Sequence, residues 1–494
     1  MKYQSTRNSK VSVDATEAII KGISDDGGLY VPSSFPKISV DDILKLCKLT
    51  YPERAASVIS MYLDEFPYEE LLDYCNKAYE KFDDAAVCPL VNIDSGLYIL
   101  ELWHGLTHAF KDMALSLMPY LMIASRKKQS VKNKTLILVA TSGDTGKAAL
   151  SGFADVDGTK IMVFYPDGGV SRMQRLQMIT QQGDNVYVAA VKGNFDDTQS
   201  AVKKIFNDEK VKAEILRAGY EFSSANSINF GRLVPQIAYY ISAYCELINR
   251  EEIAAGDKIN FVVPSGNFGN ILAGYYAREM GLPIAKLICA SNSNNVLTDF
   301  FISGQYDIRR EFFKTMSPSM DILISSNLER LLYHISGKDD NFVKDLMGAL
   351  NKDGVYSIDS LILRKNADCF AYGYSSEEET VKAISNFFET YGYLLDPHTA
   401  VAMDVYNNYV LNTEDETPTV IVSTASPYKF SSDVYNAVMK KYIEDPFKAA
   451  RKLFTLSAQG IPMDLLELEK ADIRFQDVLD KDKIAEAVIR NINA

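Results

Sequence analysis

Residues 135–149 read TLILVATSGDTGKAA, an apolar run of strand length followed by a loop of glycines and small hydroxyl side chains and then a helical stretch. An apolar run precedes a helical stretch again at KIMVFYP (160–166), NVYVAAV (185–191) and INFVVP (259–264), and TVIVSTAS (419–426) is a late apolar run. Strands that are apolar on both faces and alternate with helices predict an α/β fold with parallel sheets covered by helices. Such sheets bind ligands at the carboxyl ends of their strands, so the loops after these runs are the candidate sites.

The first ninety residues have a different pattern. DATEAIIKGI (14–23) and DDILKLCKL (41–49) each begin at aspartate and have helical apolar spacing, and the turn DDGGLYVP (25–32) lies between them. At 494 residues the chain is long enough for about three domains or two large ones. We therefore expect a mainly helical N-terminal region over residues 1–90, followed by the α/β part.

The composition excludes several classes of function. Lys and Arg number 52 against 65 Asp and Glu, so the net charge is −13, whereas a general nucleic-acid binder has a basic excess. No stretch approaches the roughly 18 apolar residues of a membrane span, and the first residues, MKYQSTRNSK, lack the apolar core of a signal peptide. The six cysteines form no C-x-x-C pair, and four histidines are few for a metal enzyme. We expect a cytoplasmic protein with reduced thiols, no resident metal, and neither nucleic acid nor membrane as partner.

Two glycine-bearing loops follow predicted strands. The first, TSGDTGKAA (141–149), opens a helix whose free amides suit an anion, although a tight turn explains the same residues. It is not a Walker A loop, because Ala148 follows Gly146-Lys147 and Thr141 stands where that motif has glycine. The second, PSGNFGNILAG (264–274), has G-x-x-G spacing instead of the dinucleotide fingerprint, which favours a single phosphate held by backbone amides.

A third segment, WHGLTHAFKDMA (103–114), contains a lysine in an apolar run. Lys111 is either a surface lysine whose stem lies along apolar neighbours or a desolvated lysine of lowered pKa, suited to Schiff-base chemistry. The spacing of His104, His108 and Asp112 would suit a metal on a helix, but Gly105 and Thr107 disfavour that helix. A fourth segment, STASPYKF (423–430), offers hydroxyl groups at the end of the late strand.

These segments and their order resemble the threonine synthase family, in its longer bacterial and fungal branch with an extended N-terminal region. The motifs that carry the resemblance occur in family order along nearly the whole chain: YQSTR (3–7), GISDDGGLYVP (22–32), HGLTHAFKD (104–112), ATSGDTG (140–146), NSINFGRLVPQ (226–236), VPSGNFGN (263–270), PSMDILISSNLERLL (318–332) and DPHTAVA (396–402).

The resemblance implies a fold and a cofactor. The fold is α/β, pyridoxal phosphate (PLP) fold type II, with two parallel-sheet α/β domains that hold the cofactor between them and a helical N-terminal region. The implied domains are residues 1–90 (N-terminal), 91–125 with 256–494 (large, PLP-binding) and 126–255 (small). The chain would be a monomer or a homodimer.

The resemblance also implies roles for particular residues. Lys111 would form the Schiff base with PLP, and Thr424 would bond the pyridine nitrogen. The PLP phosphate would lie on the backbone of Gly266, Asn267, Phe268, Gly269 and Asn270. The substrate carboxylate would lie on the loop that contains Thr141, Ser142, Gly143, Asp144 and Thr145.

The substrate phosphate needs a site of its own. Arg232 is the first candidate, because a guanidinium binds phosphate through two hydrogen bonds and the polar run 226–229 precedes it. An ordinary ion pair with an acidic residue is the alternative for Arg232. Ser171 and Lys147 are further candidates for phosphate binding.

Asp144 stands where related β-replacement enzymes carry asparagine. An ionised carboxylate there would repel the phenolate of the cofactor, so Asp144 is either protonated or points elsewhere. Other departures from the family pattern are Leu106 for the usual proline, Ser171-Arg172-Met173-Gln174 where S-P-x-Q is common, and Ser426 and Tyr428 in the late motif. These departures concern substrate contacts and leave the cofactor residues in place.

The implied reaction converts O-phospho-L-homoserine and water to L-threonine and phosphate by γ-elimination and β-addition, the last step of threonine biosynthesis. Two alternatives remain at this point. A threonine-synthase-like phospholyase would release 2-oxobutyrate and ammonia from the same substrate, and a non-catalytic PLP-binding protein would bind the cofactor without turnover.

Overall fold

The computed structural model describes residues 1–141, 143–359, 362–363 and 367–493. The N-terminal region contains a three-stranded antiparallel sheet in addition to its helices, with strand order β2-β1-β3. Its elements are β1 (Lys2–Ser5), β2 (Asn8–Asp14), α1 (Ala15–Lys21), β3 (Tyr30–Pro32), α2 (Val40–Leu46), α3 (Tyr51–Tyr62) and α4 (Tyr68–Tyr79). The short strands of this sheet, half polar in sequence, lack the apolar runs that marked the later strands.

The next elements begin the large sheet and then form most of a second sheet. They are β4 (Leu90–Asp94), β5 (Leu97–Glu101), α5 (Asp112–Leu115), α6 (Met118–Lys128), β6 (Lys134–Ala140), α7 (Asp144–Phe153), β7 (Thr159–Pro166), α8 (Arg172–Ile179), β8 (Val186–Val191), α9 (Phe195–Asn207), α10 (Glu209–Arg217), β9 (Tyr220–Ser223) and α11 (Phe230–Asn249).

The chain then returns to the large sheet. Its elements are β10 (Ile259–Pro264), α12 (Gly269–Met280), β11 (Ile284–Ser291), α13 (Val296–Ser303), β12 (Gln305–Asp307), α14 (Leu328–Ile335), α15 (Asp340–Asp353), β13 (Val355–Ser357), β14 (Phe370–Tyr374), α16 (Glu377–Tyr391), α17 (Pro397–Thr413), β15 (Thr419–Ser423), α18 (Ser431–Met439), α19 (Pro446–Phe454), α20 (Met463–Glu467), β16 (Val478–Leu479) and α21 (Ile484–Ile492). Short 3-10 helices cover Pro318–Met320, Pro427–Phe430 and Lys481–Lys483.

Two parallel sheets form the body of the protein. The six-stranded sheet has the order β14-β11-β10-β15-β5-β4, in which only the edge strand β4 is antiparallel to its neighbour. The five-stranded sheet has the order β16-β8-β7-β6-β9 and is parallel throughout. Buried apolar residues cover both faces of each sheet, as the continuous apolar runs predict. None of the helices described has the length and apolar character needed to cross a membrane.

The end of the chain joins the five-stranded sheet. Strand β16 pairs with β8, and Ile484, Val488 and Ile492 of α21 belong to the apolar cluster on one face of that sheet. Residues 478–492 therefore pack with the five-stranded sheet, whereas the predicted division assigns all of residues 256–494 to the large domain. The difference arises because a two-residue strand gives no periodicity from which its partner could be read. The domain limits otherwise stay a prediction.

One close contact joins α7 to the end of α5. A Cβ atom on Gly152, in α7, would lie 2.2 Å from the carbonyl oxygen of Leu115 at the end of α5. Only glycine allows the backbones to approach so closely. The helix that follows β6 is thereby held directly against the segment that contains Lys111.

Candidate active site

Lys111 lies at the start of α5, at the end of a loop that is fixed at both ends. The backbone N–H and the hydroxyl of Thr107 donate to the buried carboxylate of Asp112 at 2.8 and 2.7 Å. The N–H of Phe110 donates to the carbonyl of Thr424 at 2.8 Å, beside a bridge between Ala109 and Ala425. The lysine loop is therefore held against the carboxyl end of β15.

The amine of Lys111 is desolvated. Its side chain is 9% exposed, and its Nζ donates to the hydroxyl of Ser319 at 3.3 Å. Burial lowers the pKa of Lys111 to about 8; Asp144 opposes the shift, and the charges of Lys429 and Arg232 add to it. Because the side chain is buried, Lys111 is not a surface lysine, and its pKa suits an amine that gains and loses a proton near neutral pH.

The glycine loop after β10 forms a site for an anion at the start of α12. Phe268 adopts left-handed backbone geometry (φ 63°), and the helix begins at Gly269. The Oδ1 atom of Asn270 accepts from Tyr240 at 2.8 Å, which leaves its buried Nδ2 without a partner. A helix N-terminus with an unpartnered amide donor fits a phosphate group.

The glycines of this loop are needed for packing. A Cβ on Gly266 would lie 3.0 Å from the carbonyl oxygen of Ser319, and one on Gly269 would lie 3.3 Å from Nδ2 of Asn327. The segment that contains Ser319 also contacts Lys111. The glycine loop and the lysine are therefore joined through one segment of the chain.

The carboxylate of Asp144 faces the amine of Lys111 and pairs with the buried Lys429. Its Oδ1 accepts from Lys429 at 2.6 Å and from Gln174 at 3.0 Å, and its Oδ2 lies 3.9 Å from Nζ of Lys111. Burial by itself would raise the pKa of Asp144, but the charges of Lys429 and Lys111 hold that pKa well below its ordinary value. The contact with Lys429 therefore favours the ionised form of this buried carboxylate.

Arg232 has a buried guanidinium with no acidic partner among the residues that the structure describes. Its Nη1 donates to the carbonyl of Ala225 at 3.0 Å, and its Nε is buried without a partner. Burial lowers the pKa of Arg232 to about 10. The ordinary ion pair that was the alternative for this arginine is absent from the described part of the chain.

The other predicted substrate residues lie at the turn between β6 and α7. The hydroxyl of Thr141 accepts from the N–H groups of Gly143 and Gly146 at 3.0 and 2.9 Å, so it shapes the turn. Thr145 is half-buried in the first turn of α7. Ser142 lies outside the described residues.

The two further phosphate candidates are already bonded within the protein. Ser171 caps α8, where its hydroxyl accepts from the N–H of Gln174 at 3.2 Å. Lys147 donates to Gln181, and burial lowers its pKa to about 8. The structure brings neither side chain into hydrogen-bond contact with Lys111.

Three residues of the site were missed from the sequence. Lys429 is fully buried in STASPYKF, Ser319 lies in PSMDILISSNLERLL, and His398 lies in DPHTAVA. Nε2 of His398 accepts from the N–H of Ser319 at 3.2 Å, while its Nδ1 faces Asp396 at 2.7 Å. Each lies in a segment already singled out, but only the three-dimensional contacts reveal its part in the site.

The histidines of the lysine segment serve structural contacts. His104 bonds Asp83 through Nδ1 and Glu101 through Nε2. His108 adopts positive φ (54°) and bonds Asp464 through Nε2 at 2.8 Å. Within the described residues, no group of three His, Cys, Asp or Glu side chains could hold a metal ion.

Comparisons with known proteins agree on one family. Three family profiles match the chain: "Threonine synthase N terminus" over residues 2–79, "Pyridoxal-phosphate dependent enzyme" over 87–425 and "Threonine synthase, C-terminal" over 399–489. Threonine synthase from Saccharomyces cerevisiae is 36% identical over 88% of this chain and 89% of its own length. The chain belongs to the threonine synthase family. The resemblance inferred from the motifs is thus confirmed.

Solved structures of the threonine synthase family confirm the fold. PLP-bound threonine synthase from Brucella melitensis matches with a TM-score of 0.89 and 36% identity over 100% of both chains. Threonine synthase from yeast matches with a TM-score of 0.89 and 32% identity over 100% of this chain and 99% of its own. The fold is that of PLP fold type II, and PLP is the cofactor of this family of carbon–oxygen lyases.

A second group of relatives in the threonine synthase family is longer than this chain. Human "Threonine synthase-like 1" is 40% identical over 87% of this chain, but the match covers 58% of the human protein. The chain therefore spans less than two thirds of the length of these relatives. The product of the reaction is therefore inferred from the residues of the site.

Proposed function

We propose that this protein is a threonine synthase that converts O-phospho-L-homoserine and water to L-threonine and phosphate. The observation that carries the proposal is the buried guanidinium of Arg232, which has no counter-ion among the described residues and lies within electrostatic range of the desolvated amine of Lys111. A buried cation without a partner is costly, and an anionic substrate would satisfy it. The identity of 36% with yeast threonine synthase supports the same reaction.

The residues present fit PLP. Lys111 would hold the cofactor covalently, the amides of Gly266 to Asn270 would hold its phosphate, and Thr424 would bond its pyridine nitrogen. The unpartnered Nδ2 of Asn270 supports a phosphate at the start of α12. When bound, PLP supplies an electron-withdrawing ring that makes the Cα proton of the substrate acidic.

Lys111 is the group of this chain that moves protons. Its pKa of about 8, set mainly by burial, allows the free amine to take a proton from the substrate at Cα and then at Cβ near neutral pH. The hydroxyl of Ser319 accepts a hydrogen bond from this amine at 3.3 Å and so directs it within the site. Phosphate leaves from Cγ of the substrate, and water adds at Cβ.

Two further groups would bind the ends of the substrate. Arg232 would bind the substrate phosphate, because its unpartnered Nε can donate a charge-assisted hydrogen bond. The start of α7, over Thr141, Ser142, Gly143, Asp144 and Thr145, would bind the carboxylate through backbone N–H groups. The N–H groups of Gly143 and Gly146 already donate to the hydroxyl of Thr141 and hold the turn in shape, so the carboxylate would use other N–H groups of the turn.

The competing function is a phospholyase that releases 2-oxobutyrate and ammonia. The two reactions share the loss of phosphate and differ in whether water adds at Cβ. The observation in favour of this second candidate is the identity of 40% with human "Threonine synthase-like 1".

Product analysis tests the proposal. The purified protein, loaded with PLP, is incubated with O-phospho-L-homoserine, and threonine, 2-oxobutyrate and phosphate are measured together. We expect threonine and phosphate in equal amounts, and Lys111→Ala should produce neither. A yield of 2-oxobutyrate equal to that of phosphate would replace the proposed function by the phospholyase reaction.

We also propose a cytoplasmic location and a monomeric or homodimeric state. The six cysteines are buried free thiols, as is usual in a reducing compartment. Light scattering of the purified enzyme and fractionation of the source cells test these two points.

A further inference from the structure

The carboxylate of Asp144 lies between two lysines from distant parts of the chain. Nζ of Lys429 is 2.6 Å from Oδ1, and Nζ of Lys111 is 3.9 Å from Oδ2. Ser319 bridges the longer gap, because its hydroxyl accepts from Lys111 at 3.3 Å and donates to Asp144 at 3.4 Å. The three charged side chains are at most 9% exposed, so solvent screens their interactions little.

Lys429 is held in a fixed place relative to the lysine loop. Its Nζ donates to the carbonyl of Thr107 at 2.8 Å as well as to Asp144. Thr107 is in turn bonded to Asp112, which immediately follows Lys111. A positive charge is thus fixed against the same loop whose end carries the reactive amine.

We propose that Lys429 is a positioning residue of the reaction, which neutralises Asp144 and thereby sets the protonation of the Lys111 amine. The proposal rests on the proton-transfer role assigned above to Lys111, but it does not depend on which product the enzyme releases. Without Lys429, the carboxylate of Asp144 would act on Lys111 alone and favour its protonated, unreactive form.

The charged groups around Lys111 determine in which direction each substitution should shift its pKa. Burial lowers the pKa of Lys111 most; Asp144 raises it, Lys429 and Arg232 lower it, and Asp112 raises it. Around Asp144 stand Lys429, Lys111, Gln174 and Ser319. Removal of Asp144 and removal of Lys429 should therefore shift the titration of Lys111 in opposite directions, which a merely structural pair would not do.

The test measures the titration of Lys111 directly. The full-length enzyme is freed of PLP with hydroxylamine, and the acetylation rate of Lys111 by acetic anhydride is followed against pH by mass spectrometry of its peptide. In Lys429→Met the midpoint should rise by about one pH unit, and in Asp144→Asn it should fall by about one pH unit. The double variant, which removes both charges, should return close to the parent midpoint. The acidic limb of turnover should move in the same directions.

Two controls complete the experiment. Lys429→Arg keeps the charge and should keep the midpoint, and Lys192→Met removes an exposed lysine and should leave it unchanged. Shifts of the same sign in both single variants, or no shift in either, would overturn the proposal. If one single variant fails to fold, the double variant and Lys429→Arg still test the proposal. Both should keep the parent midpoint, so a shift of about one pH unit in the double variant or in Lys429→Arg would contradict it. The labelling uses no substrate, so failure of the proposed reaction is recognised separately by product analysis.

Discussion

Among single residues, Lys111 carries the chemistry, and its assignment can be tested against a matched lysine. Lys147 is half-buried and also has a pKa lowered to about 8, but it contacts Gln181 instead of the segment beside the glycine loop. Borohydride reduction of the PLP-loaded enzyme and peptide mapping should place the pyridoxyl group on Lys111. Lys111→Ala should lose several orders of magnitude in turnover while its circular dichroism is retained. A label on Lys147 would contradict the assignment.

Arg232 should affect the substrate more than the cofactor. Charge-assisted hydrogen bonds contribute about 1.5–3 kcal/mol, so Arg232→Ala should lower kcat/KM for O-phospho-L-homoserine by roughly ten- to a hundredfold. The absorption spectrum and the affinity for PLP should change little. Arg126→Ala, which removes another buried arginine, serves as the control and should leave kcat/KM near the parent value. Loss of PLP in Arg232→Ala would show instead that this arginine serves the cofactor.

His104 should make stability depend on pH. Burial by itself would lower the pKa of His104, but hydrogen bonds to Asp83 and Glu101 raise it to about 9. Because the folded-state pKa is raised above the unfolded value of about 6.5, the stabilisation is complete below pH 6.5 and is lost as pH rises through 9. Urea unfolding of the parent and of His104→Gln should therefore differ most at low pH and converge by about pH 9. A constant difference across this range would refute the prediction.

The sequence predicted some residues of the site and missed others for a physical reason. Lys111 was recognisable because it stands in an apolar run. A charged residue in such a run either reaches solvent with its tip or is desolvated, and the motif around Lys111 favoured a desolvated amine. The pair of Asp144 and Lys429 joins residues 285 positions apart. No local pattern shows that a lysine after one strand will neutralise a carboxylate after another, so the sequence could not reveal this pair.

At the scale of secondary structure elements, the start of α12 should determine the affinity for PLP. Gly269→Val would place a branched side chain where the phosphate must approach the backbone, and its Cβ would already lie 3.3 Å from Asn327. We expect PLP affinity to fall by at least about tenfold, measured by titration of the cofactor-free enzyme. Gly348→Val is the matched control, because no atom lies within 4 Å of its added Cβ. Equal PLP affinity in the two variants would refute a phosphate site at this loop.

The long elements were predictable from their periodicity, whereas the short ones were not. Strands β6, β7, β8, β10 and β15 coincide with the apolar runs to within three residues, because both faces of each strand are buried. The strands of the N-terminal sheet were missed because they are short and partly polar. Strand β16 has two residues, and it pairs with β8, which lies far away in the sequence, so no local pattern predicts the pairing.

At the scale of the whole molecule, the return of the chain to the five-stranded sheet predicts that α21 contributes to thermal stability. Val488 of α21 is fully buried in the apolar cluster on one face of that sheet, which also includes Leu136 and Phe164. Val488→Asp buries an unpaired carboxylate and should lower the melting temperature by several degrees. Glu486→Asp, an exposed change on the same helix, should leave it unchanged. Equal melting temperatures for the two variants would show that α21 contributes little to the sheet.

The position of β16 and α21 also has a consequence for synthesis on the ribosome. The other four strands of the five-stranded sheet are complete by Ser223, whereas the strand and helix that finish it follow only after residues 224–477. Until then, the nascent chain exposes an open sheet edge beside β8, and the apolar cluster on one face of the sheet lacks the side chains of α21. Chaperones that bind such surfaces should therefore associate with this protein mainly during the interval between translation of β9 and translation of α21.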